Sequence, residues 1–138
     1  MPYLAAFAPP HWKVVHIDEV VKPVDFGMQA DLVAMYGLTE ATSPTHMTPP
    51  GAIPPIDPHT GAMSVGVPVF NTLAKVVTDA GYDAAPGEIG EFVIAGPQIV
   101  PGYWQKPEET SKALGPDGLR TGDVGFMDEK GWFYLVDR

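Results

Sequence analysis

The 138-residue chain contains no cysteine, and this excludes disulfide bonds, a cysteine-based metal site and a thiol nucleophile. Arginine is nearly absent as well: only Arg120 and Arg138 occur, and the formal net charge is −9. A protein that binds nucleic acid by neutralising phosphates needs a basic surface, so the composition argues against that function. The acidity itself is typical of a solvated, soluble surface.

Long hydrophobic runs are also missing. No apolar stretch approaches the roughly 20 residues that a membrane-spanning helix needs, and the first residues lack the basic flank of a signal peptide. These absences predict a cytoplasmic protein without a transmembrane segment. Peripheral attachment to a membrane in a longer parent protein stays open.

The chain is rich in turn-forming residues, with 15 glycines and 16 prolines beside a hydrophobic content of 45%. This predicts a folded domain made of many turns and short elements. Residues 32–35 form an apolar strand that ends at Tyr36, and the proline-rich stretch 43–64 predicts a loop, which can be neither a central strand nor a helix interior. Beyond it we expect strands at 67–70, 73–77 and 89–95, the last two paired antiparallel, a helix at 106–114, and a hairpin around 128–131.

Two clusters of polar residues could bind a ligand or take part in catalysis. Thr39 and Glu40 follow the first strand, and Arg120 to Asp123 form the second cluster. A carboxylate can hold vicinal hydroxyls or Mg²⁺, a threonine can donate to a phosphate oxygen, and an aromatic ring such as Tyr36 can stack on a base. Ordinary turn chemistry explains the same residue types, so the residues alone leave both readings open. His11 and His16 have no second ligand at a convincing spacing, which argues against a metal site. His46 and His59 lie in the proline-rich stretch and are interpreted as non-catalytic.

Five segments nevertheless occur in an order and spacing that resemble a known family, the adenylate-forming enzymes, and within it the acyl-CoA synthetases, or fatty-acid–CoA ligases. They cover residues 32–138. The segments are Tyr36-Gly-Leu-Thr-Glu40, Gly87-Glu-Ile-Gly-Glu-Phe-Val-Ile-Ala-Gly-Pro97, Gly102-Tyr-Trp104 with Pro107-Glu-Glu-Thr110, Leu119-Arg-Thr-Gly-Asp123 and Asp128 to Arg138.

The resemblance implies an activity. In this family ATP and a carboxylic acid, here a fatty acid, form an acyl-adenylate with loss of pyrophosphate, and coenzyme A then takes the acyl group. By the same resemblance, Thr39 and Glu40 are the catalytic residues. Thr39 contacts the α-phosphate, and Glu40 holds Mg²⁺.

The resemblance also implies the residues that bind the nucleotide. Tyr36 stacks on the adenine of ATP or AMP, Gly37 permits a close approach of the backbone, and Asp123 binds the ribose hydroxyls with Arg138 near the same sugar. The Gly87-to-Pro97 segment is expected to determine the fold. Aromatic residues of the second half are expected in the core or at a subdomain interface, namely Phe92, Trp104, Trp132 and Tyr134.

The implied fold class is α+β and β-rich. The end of an α/β sheet (about 1–45) precedes a small, mostly antiparallel, distorted barrel-like subdomain. The implied division is 1–64, a remnant of the nucleotide-binding subdomain with its proline-rich loop, and 65–138, the barrel-like part ending at a hinge to a C-terminal lid. The family's upstream phosphate loop and its lid are not found, and residues 1–31 match poorly.

We therefore expect an internal fragment of a ligase, inactive alone and able to self-associate through a truncation surface. The sequence leaves two alternatives open: a fragment of an amino-acid or aryl-acid adenylating enzyme, and a non-catalytic β-rich interaction module. Acyl-chain length and oligomeric state are not determined by it.

Overall fold

The computed structural model describes residues 33–42 and 44–137. These residues form two antiparallel sheets, one short 3-10 helix (Thr39–Ala41) and one α-helix, α1 (Pro107–Ala113). The strands are β1 (Met35–Gly37), β2 (Pro44–Met47), β3 (Val67–Pro68), β4 (Leu73–Val77), β5 (Gly90–Ala95), β6 (Leu114–Gly115), β7 (Gly118–Met127) and β8 (Phe133–Asp137). In the part of the chain that the structure describes, no helix is long and apolar enough to cross a membrane.

The first sheet has the strand order β1-β2-β3. The bounds of β1 and the presence of β2 correct two predictions made from the sequence. The strand predicted from the apolar run begins later, at Met35, and only its central residue, Tyr36, is buried. One face of this antiparallel sheet packs on the core, so burial alternates and the run is not enclosed on both sides. The predicted loop after residue 43 begins with β2, which is the central strand. Pro44 is tolerated there because it occupies the first position, where a missing N–H does least harm.

The second sheet has the order β4-β5-β7-β6, with β8 paired to β7 beside β6. The predicted antiparallel pair is confirmed as β4 and β5, the helix as α1, and the hairpin as β7 and β8. Pro107 opens α1, where its missing N–H would have had no partner, and two glutamates occupy the first turn. The β-rich fold class is therefore confirmed. The predicted α/β portion, about 1–45, lies outside the described residues except for 33–42 and 44–45.

The core is an aromatic cluster shared by the two sheets. Phe92 of β5 and Phe133 of β8 are fully enclosed and meet edge to face, with ring centroids 5.2 Å apart, while Tyr36 of β1 meets Phe92 in the same way at 5.7 Å. Edge-to-face pairs suit the charge distribution of aromatic rings. The prediction that Phe92 and Tyr134 are core residues is confirmed, whereas Trp104 is 87% exposed and is not part of this core.

Glycine is required where β7 approaches its neighbours most closely. A Cβ on Gly125 would collide with the carbonyl oxygen of Tyr134 and would lie 2.8 Å from the Phe92 ring. We predict that Gly125→Ala lowers the free energy of unfolding by about 2–4 kcal/mol, because backbone and a packed ring must both move. Gly115→Ala is the matched control in the same sheet, since its nearest neighbour is at an ordinary 3.9 Å. Urea unfolding measures both, and equal effects would contradict this account.

Candidate functional site

A hydrogen bond joins two segments that the sequence predicts to act together. The hydroxyl of Tyr36 donates to Oδ2 of Asp123 over 2.7 Å, between residues 87 positions apart. Both side chains are largely buried, with exposures of 8% and 7%. The first sheet and the Arg120–Asp123 cluster are therefore fixed to each other by a specific polar contact in a mostly apolar setting.

Asp123 reaches Tyr36 because β7 is irregular at this point. Between the pairs Glu91↔Val124 and Val93↔Arg120, the single residue Phe92 lies opposite three residues of β7. Gly122 at the centre has φ +74°, a conformation that glycine adopts without strain. Such bulges commonly redirect side chains beside functional sites. The cluster that could have been an ordinary turn is thus a bulge inside a strand.

Hydrogen bonds hold the bulge in shape. The Thr121 hydroxyl donates to the carbonyl oxygen of Phe92 (2.9 Å) and accepts from the N–H of Asp123 (3.1 Å). Glu91 accepts from the Gly122 N–H (3.0 Å) and from the Arg120 guanidinium (2.8 Å). Arg120 is therefore engaged in an ion pair on the sheet surface. These contacts supply partners for backbone groups that the bulge removes from the ladder.

Thr39 and Glu40 occupy the 3-10 helix that follows β1, as the sequence predicts for residues after a strand. Thr42 ends it in the left-handed conformation (φ 56°), and its N–H bonds to the carbonyl oxygen of Thr39 (3.1 Å). Gly37 and Thr39 are exposed, and Glu40 is half-buried. Glu40 follows Tyr36 by four residues, so it lies within about 14 Å of it along the chain.

Glu40 has a partner that sequence reasoning missed. The hydroxyl of Tyr103 donates to Oε1 of Glu40 over 2.7 Å, although 63 residues separate them. This hydrogen bond is the main reason that the pKa of Tyr103 is raised above its usual value. Tyr103 belongs to the Gly-Tyr-Trp segment of the sequence, but nothing local signals which carboxylate its hydroxyl meets.

His46, interpreted from the sequence as non-catalytic, lies behind Tyr36. It is fully buried, and its ring stacks at an angle on Phe133 with centroids 4.4 Å apart. Its Nδ1 is 3.1 Å from the Thr45 hydroxyl, whose own proton points to the Tyr36 carbonyl oxygen. Nδ1 is therefore assigned as the protonated nitrogen. Nε2 has no hydrogen-bond partner among the described residues, and burial lowers the pKa of His46 from 6.5 to about 4.

The structure thus brings Tyr36 and Asp123 together and fixes Glu40 on the segment that follows. Arg138, predicted near the ribose, lies outside the described residues. A surface cleft of about 410 Å³ between residues 71–73 and 95–97 contains none of the predicted site residues.

The comparisons with known proteins define the class. The family model for the AMP-binding enzyme matches residues 19–104. This covers more than half of the chain, so the chain belongs to the AMP-binding enzyme family, whose members include the adenylate-forming acyl-CoA synthetases.

Individual relatives agree with this class. The chain is 43% identical over 107 residues to the long-chain-fatty-acid–CoA ligase of Salmonella typhimurium, a match covering 78% of this chain and 18% of that protein. It is 39% identical over 103 residues to the 2-succinylbenzoate–CoA ligase of Geobacillus kaustophilus, covering 75% and 20%. Among solved structures, the o-succinylbenzoate CoA synthetase of Bacillus subtilis in complex with its acyl-adenylate intermediate is similar with a TM-score of 0.68 and 27% identity, covering 80% of this chain and 27% of that one. The chain thus spans about a fifth of the length of these curated relatives.

The burial of His46 predicts how stability depends on pH. The unfolded chain takes up the histidine proton near pH 6.5, whereas the folded chain takes it up only near pH 4. The unfolded state therefore binds more protons in this window, and stability falls as the pH drops from about 6.5 to about 4, by up to about 3 kcal/mol. Urea unfolding across this range measures the slope. His46→Gln is expected to reduce it and His59→Gln, on an exposed loop, to leave it intact; a slope unchanged in His46→Gln would refute the assignment.

The buried Tyr36–Asp123 bond predicts a second stability effect. Tyr36→Phe removes a short hydrogen bond to a buried carboxylate and should lower the free energy of unfolding by about 1.5–3 kcal/mol. Tyr134→Phe is the matched control, because the Tyr134 hydroxyl donates to Asp128 over a longer 3.2 Å in a partly buried setting. Its expected loss is below about 1 kcal/mol. Equal losses in the two variants would mean that the hydrogen bond to Asp123 contributes no more to the free energy of unfolding than the one to Asp128.

Proposed function

We propose that this chain is part of an ATP-dependent acid–thiol ligase, one that joins a fatty acid to coenzyme A through an acyl-adenylate with release of pyrophosphate. Within that enzyme it forms one wall of the AMP site. The observation that carries the proposal is the Tyr36–Asp123 hydrogen bond, because it links the two motifs that the family resemblance assigns to the nucleotide. Membership of the AMP-binding enzyme family also supports it.

Asp123 is proposed to bind the ribose hydroxyls. A carboxylate accepts hydrogen bonds only and can take two from a vicinal diol. Its orientation is fixed in advance by the bulge and by the Tyr36 hydroxyl, so little ordering remains to be done when a sugar binds. Arg138 is proposed to lie near the same sugar, on the sequence resemblance alone.

Thr39 and Gly37 are proposed to contact the phosphate end of the nucleotide. The side chain of Thr39 is exposed and carries a hydroxyl donor, and Gly37 is exposed without a Cβ, so a ligand can approach its backbone. Both lie within a few residues of Tyr36, whose hydroxyl is hydrogen-bonded to Asp123.

Glu40 is proposed as the single protein ligand of Mg²⁺. The described residues contain no group of three or more histidine or acidic side chains that could hold a metal ion. Magnesium does not require such a cage, since it is usually bound through one or two carboxylates while substrate phosphates and water complete its shell. A half-buried carboxylate beside the exposed Thr39 fits that requirement. When bound, ATP supplies the adenylyl group that activates the acid.

Tyr36 is proposed to support the adenine site from within the protein core. Only 8% of it is exposed, and its ring packs on Phe92 while its hydroxyl holds Asp123. Stacking on adenine stays a prediction, because the buried ring already packs on Phe92. The role that the contacts favour for Tyr36 is the orientation of Asp123.

A fatty acid is the favoured acid substrate. The relatives at 41–43% identity include long-chain-fatty-acid–CoA ligases from Salmonella, Escherichia coli and Bacillus subtilis. An aryl acid is the second candidate, favoured by the 39% identity to a 2-succinylbenzoate–CoA ligase.

The isolated chain is proposed to have negligible ligase activity. Transition-state stabilisation needs preorganised groups on all sides of the reacting atoms, and the chain spans only 18% of the length of the Salmonella ligase.

Exposed apolar side chains, such as Phe70 at 98%, are proposed as a surface through which the isolated chain self-associates. A cytoplasmic location is proposed from the absence of cysteine.

Calorimetric titration of AMP with Mg²⁺ into the purified chain tests the site. We predict saturable binding that Asp123→Ala abolishes, because the ribose hydroxyls lose their acceptor. Asp83→Ala is the matched control, since Asp83 is an exposed carboxylate paired with Lys75 on the sheet surface. Binding that persists unchanged in Asp123→Ala would rule out the proposed site. A pyrophosphate-exchange assay of the same samples tests the inactivity of the isolated chain, and turnover at the rate of an intact ligase would contradict it.

A further inference from the structure

Glu40, the proposed ligand of the metal, is held by residues 96–106 between β5 and α1, a segment to which no role in the nucleotide site has been assigned. Three hydrogen bonds join this segment to the end of the 3-10 helix. The Val100 N–H donates to the Glu40 carbonyl oxygen (2.8 Å), the Thr42 hydroxyl donates to the Gln98 carbonyl oxygen (3.1 Å), and the Tyr103 hydroxyl donates to Glu40 Oε1 (2.7 Å). Backbone and side chain of Glu40 are thus both fixed by the same segment.

The segment is itself anchored at both ends. At one end the Gln98 amide donates to the Thr72 hydroxyl over 2.6 Å. At the other end the Tyr103 N–H donates to the Thr110 hydroxyl (2.9 Å), which in turn donates to the Lys106 carbonyl oxygen (2.7 Å). The backbone of Tyr103 is therefore joined to Thr110 in the middle of α1.

A glycine allows this anchoring. A Cβ on Gly102 would lie 2.7 Å from Cγ2 and 3.0 Å from Oγ1 of Thr110, and its φ of +153° also favours glycine. Gly102, Tyr103 and Thr110 thus form one unit, in which the glycine lets the chain pass close to the threonine and the threonine fixes the tyrosine. This gives a physical reason for the spacing between the Gly-Tyr-Trp and Pro-Glu-Glu-Thr stretches of the sequence.

We infer that Tyr103 is a positioning residue for Glu40: its hydroxyl orients the carboxylate toward the metal and phosphate, and Thr110 holds Tyr103 in place for this purpose. The inference rests on the role proposed for Glu40. A glutamate side chain has three rotatable bonds, and fixing it in advance removes an ordering cost from binding. A hydrogen bond from a neutral hydroxyl does so without neutralising the charge that a cation needs.

Two measurements on the whole chain test this inference. In the absence of ligand, three-bond couplings in chain labelled with ¹³C-glutamate report the rotamers of Glu40. We expect one dominant rotamer in the wild type and averaging in Tyr103→Phe. Tyr82→Phe is the matched control, because the Tyr82 hydroxyl donates to a different carboxylate, that of Glu88, over 2.9 Å. An unchanged Glu40 rotamer distribution in Tyr103→Phe would overturn the inference.

The second measurement is the affinity for ATP, with Mg²⁺ and again with EDTA. Tyr103→Phe is expected to weaken binding of Mg·ATP about tenfold, the scale of a hydrogen bond to a charged group, and to leave binding of metal-free ATP unchanged. A merely structural role would weaken both equally, and that result would refute positioning. Thr110→Val should reproduce the loss, whereas Thr110→Ser, which keeps the hydroxyl, should restore affinity.

The two measurements separate the inference from the proposed function. A wild-type chain that binds no Mg·ATP counts against the proposed nucleotide site, and the rotamer measurement then decides whether Tyr103 orients Glu40. A wild-type chain that binds Mg·ATP while Tyr103→Phe binds it equally well leaves the site standing and eliminates the role of Tyr103.

Discussion

The contact on which the rest of the site depends is the hydrogen bond between Tyr36 and Asp123. It joins the three-stranded sheet to the second sheet through groups 87 residues apart in the chain. A polar bond in a largely apolar interior is strong when its geometry is satisfied and costly when it is not. It adds a directional constraint to the close packing of Phe92 against Tyr36 and Phe133, so both kinds of contact hold the two sheets together.

Each end of that bond has its own support. Tyr36 is backed by the rings of His46 and Phe92, and Asp123 is aimed by the bulge in β7. A second set of hydrogen bonds, from the segment 96–106 to the 3-10 helix, fixes Glu40 independently of the Tyr36–Asp123 bond. The two carboxylates are thus held by separate parts of the fold, and each is oriented by the hydroxyl of a tyrosine distant in sequence.

The sequence predicted best where the signal is local. Pro107 and the following glutamates mark the start of a helix, and the turn 128–131 between apolar segments marks a hairpin; both elements form as expected. The strand Pro44–Met47 lies where the prolines of the whole stretch predict a loop, because Pro44 stands at the first strand position, where proline costs little.

The site was predicted as a set of residues but not as a geometry. The partners of Glu40 and Asp123 lie 63 and 87 residues away, and no periodicity or spacing reports such distances. The sequence places His46 in a proline-rich loop with no catalytic role, whereas its place between aromatic rings follows only from the packing of the two sheets. The exposure of Trp104 is likewise a tertiary property, since the family resemblance implied only a place in the core or at a subdomain interface.

The bulge in β7 positions a residue of the candidate site without changing which side chains of the strand face the core. It adds two residues opposite Phe92, and because two is an even number, the alternation of side chains resumes unchanged, with Leu119 before it and Gly125 after it both facing inward. A shorter strand lacking two of these residues would keep a regular ladder and the same inward faces, but it would have no carboxylate in front of Tyr36. Single-residue irregularities occur elsewhere in this fold: Tyr36 and Gly37 pair with His46 and Pro44, and Val124 and Gly125 pair with Asp137 and Leu135. The bulge in β7 is longer than these, and its extra pair of residues is what brings the carboxylate of Asp123 to the Tyr36 hydroxyl.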